Sequence, residues 1–271
     1  MNKVDISYAS KSEHNLAQRI LIKAIEQLTG KRKLQKIYEK YSKRNENPDF
    51  FWTGILEAMN ISIINKSNKE IQIPEKGRLL MIANHPFGII DGIVMCALAS
   101  KKRSDFKIMT HETLKFAPEL SSYLLPIEFS DNKETIKKNI QTSRKAKEHL
   151  LNNGLLIIFP SGSVSVAKNL NTAALDDNWK QFTAKIIKQT KTDVLPIYFD
   201  GKNGFLFHLF ASKIKNQTLK YSSYVHETKK LIGKNIYIFP GKLIKFDTLN
   251  KFSERETLTE YLKKTTYELG K

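Results

Sequence analysis

A histidine and an aspartate stand six positions apart where an apolar run gives way to turn residues. Leu79-Leu80-Met81-Ile82-Ala83 leads into Asn84-His85, breaks at Pro86 and Gly88, and resumes as Ile89-Ile90-Asp91-Gly92. A carboxylate that receives an imidazole N–H fixes the ring's tautomer and favours its protonated form, which makes the histidine a better general base. On one continuous helix six residues would turn the two side chains roughly 240° apart. The pair can therefore act together only if Pro86-Phe87-Gly88 is a loop. Pro86 keeps His85 extended, and Gly88 permits a backbone turn that other residues resist. Two serines, in Phe159-Pro160-Ser161-Gly162-Ser163, close a second apolar run. They lack the Gly-x-Ser-x-Gly elbow of a serine hydrolase, so a lipase or thioesterase is a minor alternative. His111 is a further candidate acid or base whose only acidic neighbour is Glu112. The six histidines are scattered without metal-ligand spacing, so no metal is expected. The single cysteine, Cys96, falls in an apolar run and reads as a buried structural thiol.

Short apolar runs bounded by turn residues read as buried strands. They fall at residues 61–64, 71–73, 79–83, 106–109, 155–159, 194–199 and 235–239, the last possibly at a sheet edge. Helical patterns lie between them. Residues 91–100 follow the His85 loop. Residues 134–153 carry Ile136, Ile140, Leu150 and Leu151 as the buried stripe, with Gly154 as C-cap. A helix beginning near Asp176 holds Trp179, Phe182, Ile186 and Ile187, and a C-terminal helix opens with the capping box Ser253-x-x-Glu256 and buries Leu258, Tyr261 and Leu262. Alternating strands and helices predict an α/β fold, a mixed and mostly parallel sheet with helices on both faces. Ligands then bind at the carboxyl ends of the strands, where His85 and Ser161 both fall. Residues 1–60 form an N-terminal segment of amphipathic helices, and 61–271 the α/β part of the same domain. Within that segment 12–28, the Leu34, Ile37, Tyr38, Tyr41 stripe, and 49–59 with Phe51, Trp52, Ile55, Leu56 and Met59 either face a membrane or pack on the core.

The chain of 271 residues carries a formal net charge of +18 with 41% hydrophobic residues. That length can bury a sizeable core, and no apolar run reaches the roughly 20 residues of a membrane span. No secretory signal opens the chain, so a cytoplasmic, soluble or membrane-attached protein is expected. Such a charge suits nucleic acid, an anionic bilayer or acidic carrier proteins. Arginine supplies only seven of the 45 basic residues, and lysines are spread through nearly every segment. Nucleic-acid readers cluster their charge and lean on arginine, so nucleic acid is not the expected partner.

NHPFGIIDG, at residues 84–92, resembles the first motif of the lysophospholipid acyltransferase superfamily, with five residues rather than four between His85 and Asp91. The longer spacing resembles the branch labelled putative hemolysins, some of which act in ornithine- or glycine-lipid synthesis. Three further blocks follow in order, LKFAPELSSYLLPIEF from Leu114, GLLIIFPSGSVS from Gly154 and VLPIYFDG from Val194, so the resemblance covers roughly residues 70–245. It implies an O-acyltransferase acting through His85 as general base and Asp91 as its orienting carboxylate. Asn84, Phe87, Gly88, Ser161, Gly162 and Ser163 would line the substrate site, and Leu114, Phe116, Leu120 and Leu124 are candidates for an acyl channel, though ordinary core fits them too. The implied donor is an acyl carrier protein or coenzyme A thioester, with no other cofactor. A lysolipid would accept the chain at the cytoplasmic face of the inner membrane, where an anionic surface holds the enzyme peripherally. Where glycerol-phosphate acyltransferases have FPEGTRS, this chain has Ser161 at the glutamate and Val164 at the arginine, and Ile127-Glu128-Phe129 lacks the second-block arginine. No phosphate clamp is available from those positions. A neutral, zwitterionic or amino-acid-derived lysolipid is therefore expected, with lysophosphatidic acid or another lysophospholipid the alternative and a non-enzymatic basic protein binding membranes or nucleic acid a further one.

Overall fold

A computed structural model describes residues 31–42, 50–67, 70–111, 120–128, 132–169, 171–205, 207–208 and 217–271. The helix expected over 12–28, with Leu114 and Phe116, lies outside them. Seven strands form one sheet: β1 (Ser62–Asn65), β2 (Leu79–Ala83), β3 (Phe106–His111), β4 (Leu124–Ile127), β5 (Leu155–Ile158), β6 (Asp193–Asp200) and β7 (Asn235–Pro240). Their order across the sheet is β1-β7-β6-β2-β5-β3-β4. Every pairing is parallel except β6 with β7. β2 and β5 sit at the centre, and every one of their residues is buried, which their unbroken Leu/Ile/Met runs require of a sheet covered on both faces.

Helices α1 (Lys31–Ser42), α2 (Phe51–Ala58) and α3 (Ile89–Ser100) precede β3. Then come α4 (Lys133–Leu151), α5 (Phe182–Thr190), α6 (Gln217–Lys230), the short α7 (Phe246–Leu249) and α8 (Arg255–Glu268). One core joins α2 and α3 to the sheet through Trp52, Leu56, Met81, Ala83, Met95, Ile157 and Phe199. The opposite core joins α4, α5 and α8 through Leu80, Ile82, Leu156, Ala146, Ile187, Leu258 and Leu262. Phe51, Trp52, Ile55, Leu56 and Met59 are buried, so the apolar side of α2 is core. Cys96 is buried as expected, and no helix among the described residues is long and apolar enough to cross a membrane.

Several expectations are corrected. In α4 the buried residues are Thr135, Thr142, Ala146 and Leu150, whereas Ile136, Ile140 and Leu151 are exposed. The helix is rotated because it lies against β4, an edge strand whose outermost carbonyls need donors. The Thr142 hydroxyl donates to the Pro126 carbonyl at 2.7 Å, and the Asn139 amide donates to the Glu128 carbonyl at 2.7 Å. Asn153, not Gly154, takes the left-handed position after α4 (φ 64°). Gly154 is needed instead because a Cβ there would stand 2.4 Å from the His149 ring. Residues 71–73 form no strand, and β7 lies inside the sheet between β1 and β6. Helix α5 starts at Phe182 rather than near Asp176, and α8 is capped at Glu254 with no side-chain hydrogen bond, so the Ser253/Glu256 box does not form.

Candidate active site

β2 ends at Ala83, and the next residue extends its ladder with a side chain. The Asn84 amide donates to the Phe199 carbonyl at 2.9 Å and accepts the Phe199 N–H at 2.7 Å, occupying the site where a further backbone pair with β6 would form. Asn84 is thus buried and spent on β6, and the main chain is released to turn. The turn follows at Pro86-Phe87-Gly88, with Gly88 at φ 73°. The tip of the Phe87 ring lies against Gly201, where a Cβ would come within 2.4 Å of it.

This turn folds Asp91, in the first turn of α3, back onto His85. Asp91 Oδ2 accepts the Phe87 N–H at 2.8 Å, the Gly88 N–H at 3.0 Å and lies 3.0 Å from His85 Nδ1. An oxygen already fixed as an acceptor takes a proton from the imidazole as well, so Nδ1 carries the hydrogen. The Nε2 lone pair is left without a partner among the described residues. Asp91 is wholly buried while the His85 side chain retains 18% exposure. Burial pushes the Asp91 carboxyl above its usual range, and the His85 hydrogen bond and charge and the two backbone N–H groups oppose that rise. The second oxygen, Oδ1, is buried with no partner among the described residues. The His85 ring stacks on Phe159 at 3.9 Å between centroids, tilted by 20°.

Phe159 follows β5, which pairs with β2 in register, so the two strand ends meet. The serine bend is closed by the Gly162 N–H on the Phe159 carbonyl at 3.0 Å, with Gly162 at φ 70°. The buried Ser161 hydroxyl donates to the Ser163 carbonyl at 2.8 Å, and the Ser163 hydroxyl donates to Asp177 at 3.2 Å. Val164 is buried with a methyl against Gly88, and the Ser165 N–H donates to the His85 carbonyl at 2.9 Å. The structure thus brings His85, Asp91, Phe87 and Gly88 into one turn and sets the 161–165 bend against it. Ser161 and Gly162 hold that bend by contacts of their own. His111 ends β3, with β5 between that strand and β2, while Leu120 and Leu124 pack on the core.

The residue that sequence reasoning missed is Asp176. One of its oxygens accepts the His85 N–H at 3.2 Å and the Ser165 hydroxyl at 2.5 Å, and the other accepts the Trp179 indole N–H at 2.8 Å. Its own N–H donates to the Tyr267 hydroxyl at 2.8 Å, and Lys263 donates to its carbonyl at 3.0 Å. Both main-chain groups of His85 are therefore held by the 165–176 segment, which α8 holds in turn. Burial raises the Asp176 carboxyl, against the Ser165 and Trp179 hydrogen bonds. Burial likewise raises the Tyr267 phenol, and the Asp176 charge adds to that rise. Asp176-x-x-Trp179 was the available signal, since a buried indole N–H needs an acceptor. His208 makes a further tie: its Nδ1 accepts the Ala167 N–H at 3.2 Å, so Nε2–H donates to the Asn203 carbonyl at 3.0 Å. Among the described residues no cluster of His, Cys, Asp or Glu could hold a metal ion.

Residues 50–271 match the acyltransferase family. Two curated relatives are named lyso-glycine lipid O-acyltransferase. The protein of Bacteroides thetaiotaomicron is 27% identical over 83% of this chain and 83% of its own length. That of Phocaeicola vulgatus is 23% identical over 86% of this chain and 82% of its own. Among solved structures, the 1-acyl-sn-glycerophosphate (LPA) acyltransferase PlsC of Thermotoga maritima shares the fold at a TM-score of 0.53 and 13% identity. That alignment covers 93% of this chain and 94% of that one.

Proposed function

The chain belongs to the acyltransferase family, and from that premise we propose that it moves a fatty acyl group from a thioester to the hydroxyl of an amino-acid-derived lysolipid. The observation that carries this reading is the turn holding His85 Nδ1 3.0 Å from an Asp91 oxygen that already accepts two backbone N–H groups. Such an arrangement presents Nε2 as a base. His85 takes the acceptor's hydroxyl proton as that oxygen attacks the thioester carbonyl, and Asp91 stabilises the imidazolium that forms. The proton then passes to the departing thiolate, so acceptor ester and free thiol are the products and no acyl-enzyme is needed. A positioned histidine base contributes typically 10²–10⁴-fold. The donor is an acyl carrier protein or coenzyme A thioester.

The acceptor class rests on the bend and on the relatives. A phosphate clamp needs a guanidinium or ammonium at hand, yet Val164 is buried against Gly88 and Ser161 is spent on the Ser163 carbonyl. A neutral or amino-acid headgroup fits that lining, and the relatives from Bacteroides and Phocaeicola are named for such an acceptor. The serine-hydrolase reading loses support, because the Ser161 and Ser163 hydroxyls are directed to Ser163 O and Asp177 rather than to His85.

The test is a panel of lyso acceptors, including lyso-glycine lipid and lysophosphatidic acid, offered with acyl-carrier and coenzyme A thioesters to wild type and His85→Ala. The expected result is preferred acylation of the amino-acid lysolipid, lost by at least about a hundredfold in the variant. Rapid, preferred acylation of lysophosphatidic acid would overturn the acceptor assignment, and full activity of His85→Ala would overturn the mechanism.

A further inference from the structure

Among the described residues helix α8 makes no hydrogen bond to His85 or Asp91, yet two of its side chains hold the residue that grips the His85 main chain. Lys263 and Tyr267 stand four positions apart, so they lie one above the other on a single face of the helix. That face meets Asp176. The Tyr267 hydroxyl accepts the Asp176 N–H at 2.8 Å. The Lys263 ammonium donates to the Asp176 carbonyl at 3.0 Å and to the Asp177 carbonyl at 3.1 Å. Both main-chain groups of one loop residue are thus taken by side chains of one helix.

The phenol also donates. It is hydrogen-bonded to the Ser165 hydroxyl, whose own proton goes to the Asp176 carboxylate. The phenol proton is therefore the one directed at Ser165 Oγ. A chain of hydrogen bonds then runs from Tyr267 through Ser165 to the Asp176 oxygen that accepts the His85 N–H at 3.2 Å.

Helix α8 is fixed to the frame that carries His85. Leu258 and Leu262 share a core with Leu80 and Ile82 of β2. The Tyr267 ring meets the Tyr198 ring of β6 edge-on at 5.6 Å between centroids, and a Cβ at Gly270 would collide with that Tyr198 ring. β6 in turn pairs with β2 as far as Ala83, two residues before His85. Contacts from His85 through Asp176, Tyr267, Tyr198 and β6 therefore return to β2 as a closed ring. The pairing of Val166 with Leu175 fixes the shape of the loop after β5, but it does not fix the loop's place over His85.

We propose that Lys263 and Tyr267 are positioning residues for the acyl transfer assigned above, setting the main chain of His85, and so the aim of its Nε2, through Asp176 and Ser165. A base held in line with its proton loses rate steeply when it shifts by an ångström. The role in turnover rests on the acyltransferase reading, whereas the positioning itself is read without turnover.

The test compares conservative variants that keep wild-type circular dichroism. Tyr267→Phe keeps the ring on Tyr198 and removes only the hydroxyl, and Lys263→Met keeps the stem and removes the donors. Each leaves a main-chain group of Asp176 unpaired and should lower kcat roughly tenfold with KM for the thioester retained. Lys263→Arg, which keeps N–H donors for the carbonyls, should recover most of the loss. Lys264→Met, on the exposed side of the same helix, should match wild type. Tyr267→Phe combined with Asp176→Asn should lose no more than Asp176→Asn alone, because both act through one path. In Tyr267→Phe the His85 ring N–H and Trp179 indole N–H resonances should both move, since each reports on a group that Asp176 holds. Losses that multiply in the double variant, a raised KM at unchanged kcat, an equal loss in Lys264→Met, or resonances that stay in place would each overturn the proposal. Resonances that move together while wild type acylates no acceptor would support the positioning and refute the reaction.

Discussion

Asp91 illustrates how one atom can set a site. Its Oδ2 gathers three donors, and the carboxylate is buried to do so. A carboxyl raised by burial in the fold favours the protonated form there, so at neutral pH its ionised state costs stability. Asp91→Asn should therefore lower kcat by about 10²–10⁴-fold while changing unfolding free energy by no more than about 1 kcal/mol. Steady-state kinetics beside denaturant melts would show the split, and a collapse of stability to match the activity would contradict it. Asp176 works at one remove, through the main chain of His85 and the Ser165 hydroxyl. Asp176→Asn leaves an amide N–H₂ facing a donor. Losing one charge-assisted bond of about 1.5–3 kcal/mol corresponds to roughly 10–100-fold in kcat, with KM for the thioester retained. The Trp179 indole N–H resonance should shift as its acceptor changes from a carboxylate to an amide oxygen, a signature that general loosening would not give alone.

At the scale of elements, the site depends on close approaches that admit no extra atom. Gly201 stands at φ 133° against the tip of the Phe87 ring, and Phe87 supplies one of the N–H groups on Asp91. Gly201→Ala should displace the ring, destabilise the protein by about 1–3 kcal/mol and reduce turnover at least about tenfold, since the shifted N–H loosens its carboxylate. Thermal melts and turnover measured together would check this, and unchanged turnover would separate Phe87 from the dyad. Helix α4 teaches the complementary lesson. Its apolar residues look like the buried stripe, yet Thr135, Thr142 and Ala146 face the sheet because hydroxyls and small side chains satisfy an edge strand at short range. Periodicity locates a helix, but it cannot tell which side the edge carbonyls will claim.

Across the whole molecule, opposite titrations set how stability follows pH. Burial pushes the His208, His149 and His226 imidazoles below their ordinary value of 6.5. Their contribution is present above pH 6.5 and is lost as pH falls from there through the lowered folded values. Asp91 and Asp176, raised above 3.8, work in the other sense: their contribution is full below pH 3.8 and is lost as pH rises through the folded values. The melting temperature should therefore drop as pH falls below about 6.5, and His208→Gln should shrink that drop. His208 ties the loop after β5 to the segment after β6 only while Nδ1 is unprotonated, since Nδ1 must accept the Ala167 N–H. Melts of both proteins across the acid range would test it, and identical slopes would remove His208 as a contributor.

The sequence by itself determined six of the seven strands, the mostly parallel α/β order and the turn that joins His85 to Asp91, because unbroken apolar runs, Pro86 and Gly88 act over a few residues; the edge strand β4 was not among those read from it, and the run at 71–73 forms no strand. The blocks it shares with acyltransferases fixed the chemistry to look for at that turn. Only the tertiary structure decided what lies behind and around it. Asp176 reaches His85 across 91 positions of chain, Asn84 is spent on Phe199 across 115, and the outward side of α4 is set by β4. Such contacts come from strands laid side by side and from carbonyls at a sheet edge that must find donors, and no local spacing records them.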